Sequence, residues 1–290
     1  MVERIDAHHH LWRYRKEEYG WIGAGMDAIA RDFTATDLRV ELEPRGISGS
    51  VVVQACHTLS ETEWLLDVAA GNQLIRGVVG WAPIVDPAFP EILERLLGSK
   101  KLKGLRHVVQ DEPDDEFILR SDFNAGIGEL AGRGLVYDIL IYERQLPATI
   151  KFLDRHPNQV FVLDHLAKPR IKQQVLDPWR ANLFELAKRE NVYCKLSGMA
   201  TEADWNNWSA ADLGPYADAA LEAFGPARLM FGSDWPVCLL ACSYPRWLET
   251  ATDFLRELSG PEQNLVFGGV ASKVYSLSAP EKASGSARRN

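Results

Sequence analysis

Near its start the chain carries three consecutive histidines, His8, His9 and His10, which are well suited to chemistry. In a β-strand successive side chains alternate between the two faces, so His8 and His10 point the same way and His9 points the opposite way. Two converging imidazoles can hold a metal ion such as zinc, or they can contact an anionic or polar substrate. The alternative is a histidine-rich surface tract without a function.

Other polar residues fall where later segments that are predicted to be strands give way to loops. They are Gln54, His57, Trp81, Arg106, His107, Tyr142, Glu143, His165, Lys195, Ser197 and Asp234. Each has a structural explanation of its own: His165 could be a core histidine, and Asp234, which precedes Trp235 and Pro236, could form a turn. Because so many polar residues share one position relative to the strands, a common site is favoured over separate structural roles.

The segments that must position these residues alternate between short apolar runs and helical patterns. The predicted strands are 5–12, 50–55, 77–81, 103–107, 135–141, 160–165, 192–197 and 229–234, and the predicted helices are one that opens with a capping box at 60–63, then 89–97, 124–131, 146–155, 179–189 and 216–224. This alternation predicts an α/β fold, a single (β/α)₈ TIM barrel over residues 1–277, with a doubly wound open sheet as the alternative. The Ser-rich and charged segment 278–290 is predicted to be a disordered tail.

Composition narrows the classes of protein to which the chain can belong. The chain has 290 residues, is 46% hydrophobic and carries a net charge of -8. An acidic chain of this kind argues against nucleic acid or an anionic membrane as a partner. The sequence shows no secretion signal and no apolar run of about 20 residues, and its four cysteines are scattered, so we expect a cytoplasmic protein with reduced thiols.

Several common catalytic patterns are absent from the sequence. It contains neither of the glycine-rich motifs that bind phosphate groups, and it lacks the G-x-S-x-G motif of many serine hydrolases. The chemistry is therefore expected from histidine and carboxylate groups, with or without a metal ion.

Three motifs together resemble one enzyme family, the amidohydrolase superfamily, and within it the branch that hydrolyses sugar lactones. They are Asp6-x-His8-x-His10, Leu163-Asp164-His165 and Gly232-Ser233-Asp234-Trp235-Pro236. The resemblance runs from about residue 3 to residue 277. Further segments are similar to the bacterial L-fuconolactone hydrolases of that branch, and these are 13–15, 21–26, 106–107, 137–138, 143–147, 194–198, 201–205 and 235–240.

The resemblance implies one divalent metal ion, with zinc as the expected metal, held by His8, His10, His165 and Asp234. The chain departs from the two-metal members of the superfamily, which carry a carboxylated lysine or a glutamate at the end of the fourth strand and a histidine on the fifth. Here the fourth strand ends in Arg106-His107 and the fifth leads into Tyr142-Glu143. We therefore expect a site with one metal or none, and the sequence leaves metal dependence open.

The expected reaction is hydrolysis of a sugar-acid lactone, with L-fuconolactone as the substrate that the resemblance implies. Asp234 is predicted to act as general base, and a histidine-held metal, or His165 and Arg106, to polarise the carbonyl group. The predicted substrate-binding residues are Trp12, Trp21, Gln54, Trp81, His107, Tyr142, Lys195 and Trp235.

Other functions stay open at this point. The substrate could be another aldonolactone, such as L-rhamnono- or galactono-lactone. A decarboxylase or hydratase of the same superfamily would need more arginines to bind carboxylates, and Arg106 is the one clear strand-end arginine. A sugar-acid binding protein on a decayed barrel is the non-enzymatic alternative. The sequence does not indicate an oligomeric state.

Overall fold

A computed structural model describes residues 3–278 of the chain, which contain eight parallel strands in one sheet. The strands are β1 Ile5–His9, β2 Gly49–Val53, β3 Ile75–Gly80, β4 Leu102–Val108, β5 Val136–Leu140, β6 Phe161–Leu163, β7 Val192–Leu196 and β8 Leu229–Phe231. Each strand pairs in parallel with the next along the chain. All carboxyl ends therefore lie on one face of the sheet.

The sheet closes into a barrel where the residues after β8 meet β1. The Asp234 amide donates to the His8 carbonyl at 2.8 Å, and the His10 amide donates to the Trp235 carbonyl at 2.7 Å. The predicted (β/α)₈ barrel is confirmed, and the open-sheet alternative is wrong because the strand order is sequential around the ring.

Helices connect the strands and cover the outside of the barrel. They are α1 Ala35–Leu42, α2 Leu59–Ala70, α3 Phe89–Leu96, α4 Ser121–Gly128, α5 Leu146–Arg155, α6 Trp179–Ala187, α7 Met199–Glu202, α8 Ala210–Phe224, α9 Tyr244–Phe254, α10 Gly260–Asn264 and α11 Val270–Val274. The predicted capping box at Ser60 is wrong, because the Thr58 hydroxyl caps α2 by accepting from the Glu61 amide. Helix α8 begins six residues earlier than predicted, with Ser209 as its cap.

The amino-terminal end of the barrel interior is an apolar core. It is filled by valines from several strands, among them Val51, Val136 and Val162, and helix α11 closes this end with Val270. The opposite end is left for polar side chains. Within residues 3–278, no helix combines the length and the apolar character that a membrane crossing requires. Apart from Ser278, the predicted tail lies outside the described residues.

Candidate active site

Three imidazoles and one carboxylate converge at the carboxyl end of the barrel. The His8 and His10 Nε2 atoms lie 3.2 Å apart. The Asp234 Oδ1 atom is 3.3 Å from the His10 Nε2, 3.7 Å from the His8 Nε2 and 3.8 Å from the His165 Nε2. His9 points away from this cluster, and its Nε2 lies 3.0 Å from the Ser50 hydroxyl. The alternation that β-strand geometry predicts for the three histidines is therefore present.

The outer ring nitrogens of two of these histidines are held by neighbouring strands. The His10 Nδ1 lies 2.8 Å from the Val53 carbonyl, which can only accept, so His10 carries its proton on Nδ1. The His165 Nδ1 lies 2.8 Å from the Ser197 hydroxyl. Contacts of this kind fix the plane of an imidazole and turn its Nε2 towards a shared ligand.

A left-handed turn after β6 carries His165 to the cluster. Residues 165–168 have φ angles of 53°, 54°, 59° and 48°, and none of them is glycine. Each such residue costs about 1–3 kcal/mol, so the surrounding structure must hold the turn in place. The Trp179 indole donates to the Leu166 carbonyl at 2.7 Å. Gly198 leaves room for the His165 ring, since a Cβ there would lie 2.4 Å from the His165 Nδ1.

Beneath His8 lies a network of buried charges. The Lys195 Nζ is 2.5 Å from Asp138 Oδ2, 3.0 Å from Asp164 Oδ1 and 3.0 Å from the His8 Nδ1. Arg106 Nη1 lies 2.9 Å from Asp164 Oδ2, so two cations face two carboxylates. Opposite charges at these distances offset the cost of burying each one alone.

This environment sets the protonation of the cluster. Burial and the Lys195 charge hold the pKa of His8 well below its usual range. Burial also lowers the pKa of His165 to about 4. Burial by itself raises the pKa of Asp234, but the adjacent His165 and the hydrogen bond with His10 outweigh it, so the net pKa is lowered. Near neutral pH, His8 and His165 are therefore neutral and Asp234 is ionised.

The donor set fits a zinc ion. Zinc sites use imidazole nitrogen and carboxylate oxygen at about 2.0–2.2 Å in a tetrahedron, which puts neighbouring ligand atoms roughly 3.3 Å apart. The His8–His10 and His10–Asp234 distances of 3.2 and 3.3 Å match this spacing. Neutral imidazoles and an ionised carboxylate are also the forms that bind metal. Asp164 forms a second such grouping with His8 and His165.

A cavity of about 130 Å³ opens above the cluster. Of the predicted site residues, five line it, and these are His10, Trp21, Arg106, His165 and Asp234. An open cleft of about 880 Å³ adjoins the cavity and is lined by residues of the loops after β5, β6 and β7, including Tyr142. Tyr142 therefore faces the cleft and not the cavity above the cluster.

Four of the predicted substrate-binding residues lie behind the cavity wall, where they are buried. The Trp12 indole donates to the Arg31 carbonyl, and the Gln54 amide donates to the Arg106 carbonyl. Lys195 is occupied in the charge network, and Trp235 is 2% exposed. These side chains shape the site from behind, and none of them lines the cavity.

Trp81 and His107 lie in a separate aromatic stack beside the cavity. The Trp81 indole donates to the His107 Nδ1 at 3.3 Å, and the His107 Nε2 lies 2.6 Å from Glu112. The His57 ring stacks against both the Trp81 and the His107 rings. Neither Trp81 nor His107 lines the cavity, because both rings are taken up by these contacts.

The structure brings to the site several groups for which the sequence motifs predicted no role. Asp138 and Asp164 carry the buried charge network, and a carboxylate within an otherwise apolar strand was the available signal for Asp138. Lys168 and Gln110 line the cavity. Lys168 gave no signal, because its left-handed turn contains none of the glycines that normally mark one.

Comparisons with known proteins agree with this geometry. Residues 5–277 match the family described as amidohydrolase. The chain is 43% identical to an L-fucono-1,5-lactonase from Burkholderia multivorans and 36% identical to one from Burkholderia ambifaria, and each alignment covers 97% of this chain and 98% of the relative. It also resembles a crystal structure of an amidohydrolase from Burkholderia multivorans with bound zinc, with a TM-score of 0.91 and 42% identity over 95% of this chain and 100% of that chain.

Proposed function

The chain belongs to the amidohydrolase family, and from its similarity to two L-fucono-1,5-lactonases and the geometry of its site we propose that it hydrolyses L-fucono-1,5-lactone with Asp234 as the general base. It is an enzyme that hydrolyses a sugar lactone, since two L-fucono-1,5-lactonases match nearly its whole length. The observation that carries the proposed site is the convergence of three imidazole Nε2 atoms on the Asp234 carboxylate at the wall of a small cavity.

Hydrolysis of a lactone requires a base for the attacking water and a proton for the ring oxygen that leaves. Asp234 suits both steps, because its carboxylate is ionised near neutral pH and faces the cavity. It takes a proton from water as the water attacks the carbonyl carbon. It then returns that proton to the ring oxygen as the C–O bond breaks, which releases the open-chain acid.

Negative charge that develops on the carbonyl oxygen needs a positive partner. The Arg106 guanidinium lines the cavity, and its Nη1 lies 3.5 Å from the His8 Nε2. Ion pairing with Asp164 fixes its position before substrate binds. A fixed positive group in a water-poor cavity stabilises an oxyanion more strongly than solvent does.

One divalent metal ion, with zinc as the best fit, belongs with this donor set. His8, His10, His165 and Asp234 would hold it. The closest grouping is His8, His10 and Asp234, and His8 and His165 form a second grouping with Asp164. When bound, the ion supplies Lewis acidity that polarises a carbonyl group and lowers the pKa of water. The protein contributes ring orientation through Val53 and Ser197, as described above.

The decarboxylase and hydratase alternatives are disfavoured by the charge at the cavity. Such enzymes bind substrate carboxylates with arginines. Among the described residues that line the cavity, Arg106 is the one arginine.

The experiment that tests this proposal is acid release from a panel of aldonolactones, followed with a pH indicator. The panel contains L-fucono-1,5-lactone, L-rhamnonolactone and L-galactonolactone, each assayed with zinc-loaded protein and with chelator-treated protein. We expect the highest kcat/KM for L-fucono-1,5-lactone. Rates no higher than spontaneous hydrolysis for every lactone would overturn the proposed function.

A further inference from the structure

Lys168 occupies the boundary between the small cavity and the open cleft. It lines both of them, and Trp21 and Val237 contribute apolar surface to the same cavity. A substrate whose carbonyl group lies beside Asp234 must therefore present part of its ring or its substituents to Lys168. None of the steps described above uses this side chain.

The backbone ties Lys168 to the catalytic cluster. Lys168 ends the left-handed turn that begins at His165, and its amide donates to the His165 carbonyl at 2.8 Å. Its Nζ also lies 5.6 Å from the centre of the Tyr142 ring. The turn therefore fixes the Lys168 backbone relative to His165, and Tyr142 and Glu202 are the described neighbours of its ammonium group.

Glu202, the last residue of helix α7, lines the cleft next to Lys168. Its Oε1 lies 3.6 Å from the Lys168 Nζ, and the two side chains are 22% and 19% exposed. This separation exceeds the length of a good hydrogen bond, so both groups keep capacity to bond a ligand. Burial raises the pKa of Glu202, and the positive charge of Lys168 opposes that rise. The two side chains therefore interact electrostatically.

We propose that Lys168 and Glu202 form the pair of residues that determines which sugar lactone is accepted. The Lys168 ammonium donates to one oxygen of the sugar, and the Glu202 carboxylate accepts from a neighbouring hydroxyl. The ligand class is a polyhydroxylated lactone ring with adjacent hydroxyls. This inference rests on the proposed function and adds to it the residues that read the hydroxyl pattern.

A site that discriminates between sugars needs such groups. Apolar walls reject an altered substrate weakly, whereas a site built to bond a hydroxyl strongly rejects an analogue that lacks it. Each hydrogen bond to a charged group contributes about 1.5–3 kcal/mol, which corresponds to roughly a 10- to 150-fold effect on kcat/KM. Lys168 and Glu202 meet this need, because both are partly buried, charged and not fully engaged with each other.

The test compares L-fucono-1,5-lactone with its 2-deoxy, 3-deoxy and 4-deoxy analogues on the zinc-loaded enzyme. For Lys168→Met and for Glu202→Gln, we expect kcat/KM on the full lactone to fall about 10- to 100-fold, mainly through KM. Activity on the analogue that lacks the hydroxyl bound by the altered residue should change less than about threefold. Lys168→Arg, which keeps the charge, should recover part of the selectivity, and zinc content should equal that of the wild type.

The chain offers a matched control pair in the same cleft. The Lys172 Nζ lies 3.3 Å from Asp204 Oδ2, and both residues line the cleft, but their side chains are about half exposed. Lys172, unlike Lys168, does not line the cavity above the cluster. Lys172→Met and Asp204→Asn should leave the selectivity between the lactone and its deoxy analogues unchanged.

The outcomes separate this inference from the proposed function. Folded Lys168→Met and Glu202→Gln proteins with wild-type selectivity would overturn the inference alone. An equal loss on all four lactones together with loss of zinc would also overturn it, because that pattern indicates a structural role. Wild-type protein that hydrolyses none of the lactones would overturn the proposed function itself.

Discussion

The two ends of the barrel interior differ in what the same strands contribute. On β5, Val136 belongs to the apolar core and Asp138, two residues later, binds Lys195. On β6, Val162 belongs to that core, and Asp164 follows it by two residues. Because side chains two apart on a strand share a face, both members of each pair point inwards. One end of the interior therefore supplies stability through packing, and the other holds charges that chemistry requires.

Mutations at the two ends of the barrel interior should therefore affect stability and activity differently. A change at the apolar end should lower stability and leave the folded enzyme active. A change at the charged end should lower stability and alter the metal site as well, because the buried charges contact the histidines directly.

The largest stability effect is expected when one buried charge loses its partner. Lys195→Met leaves the Asp138 carboxylate without the cation that lies 2.5 Å away, and Asp164 loses one of its two cations. Removing one partner of a buried ion pair costs about 3–5 kcal/mol. We expect a loss of that size in the free energy of unfolding, measured with urea.

Lys188→Met is the matched control, since its partner Glu185 lies on the surface and the Lys188 side chain is 70% exposed. Its loss should stay below about 1 kcal/mol. If Lys195→Met cost as little as the control, the buried network would not be the structural unit described here.

Metal removal should have the next largest effect. Zinc at about 100 times its dissociation constant stabilises a protein that binds it only when folded by about 2.7 kcal/mol. We expect chelator treatment to lower the wild-type free energy of unfolding by this stabilisation from zinc, which we call the zinc increment. His10→Asn should abolish the increment, because His10 offers one of the closest donor atoms of the cluster. A zinc increment that persists in His10→Asn would contradict the assigned ligands.

The smallest effect is expected at the apolar end. Val162→Ala removes two buried methyl groups from the core and should cost roughly 2 kcal/mol. The kcat of the folded variant on L-fucono-1,5-lactone and its zinc increment should both stay within about twofold of the wild type. A large fall in kcat would show that packing at this end also positions the charged end.

The sequence was sufficient to predict the barrel, and to predict that the candidate site lies at the carboxyl ends of its strands. Parallel strands separated by helices bring all carboxyl ends together, so His8, His10, His165 and Asp234 could be expected to meet although they are far apart in the chain. Strand periodicity also separated His9 from its two neighbours.

The depth of each side chain could not be predicted in the same way. Lys195 and Gln54 are at strand ends, yet both are fully buried, because strand position fixes the level of a Cα atom and not the contacts of a long side chain. The left-handed turn at residues 165–168 contains no glycine and is held by tertiary contacts such as the Trp179 indole. This turn brings Lys168 to the cavity rim, so the position of Lys168 could be found only from the structure.

The central claim is that Asp234 performs the proton transfers of lactone hydrolysis. The most direct measurement is kcat of Asp234→Asn on L-fucono-1,5-lactone, with zinc content and unfolding free energy determined on the same sample. Because asparagine keeps the shape but cannot take a proton, we predict a fall in kcat of about 10²- to 10⁴-fold in a folded protein. A kcat within a few fold of the wild type would contradict the claim.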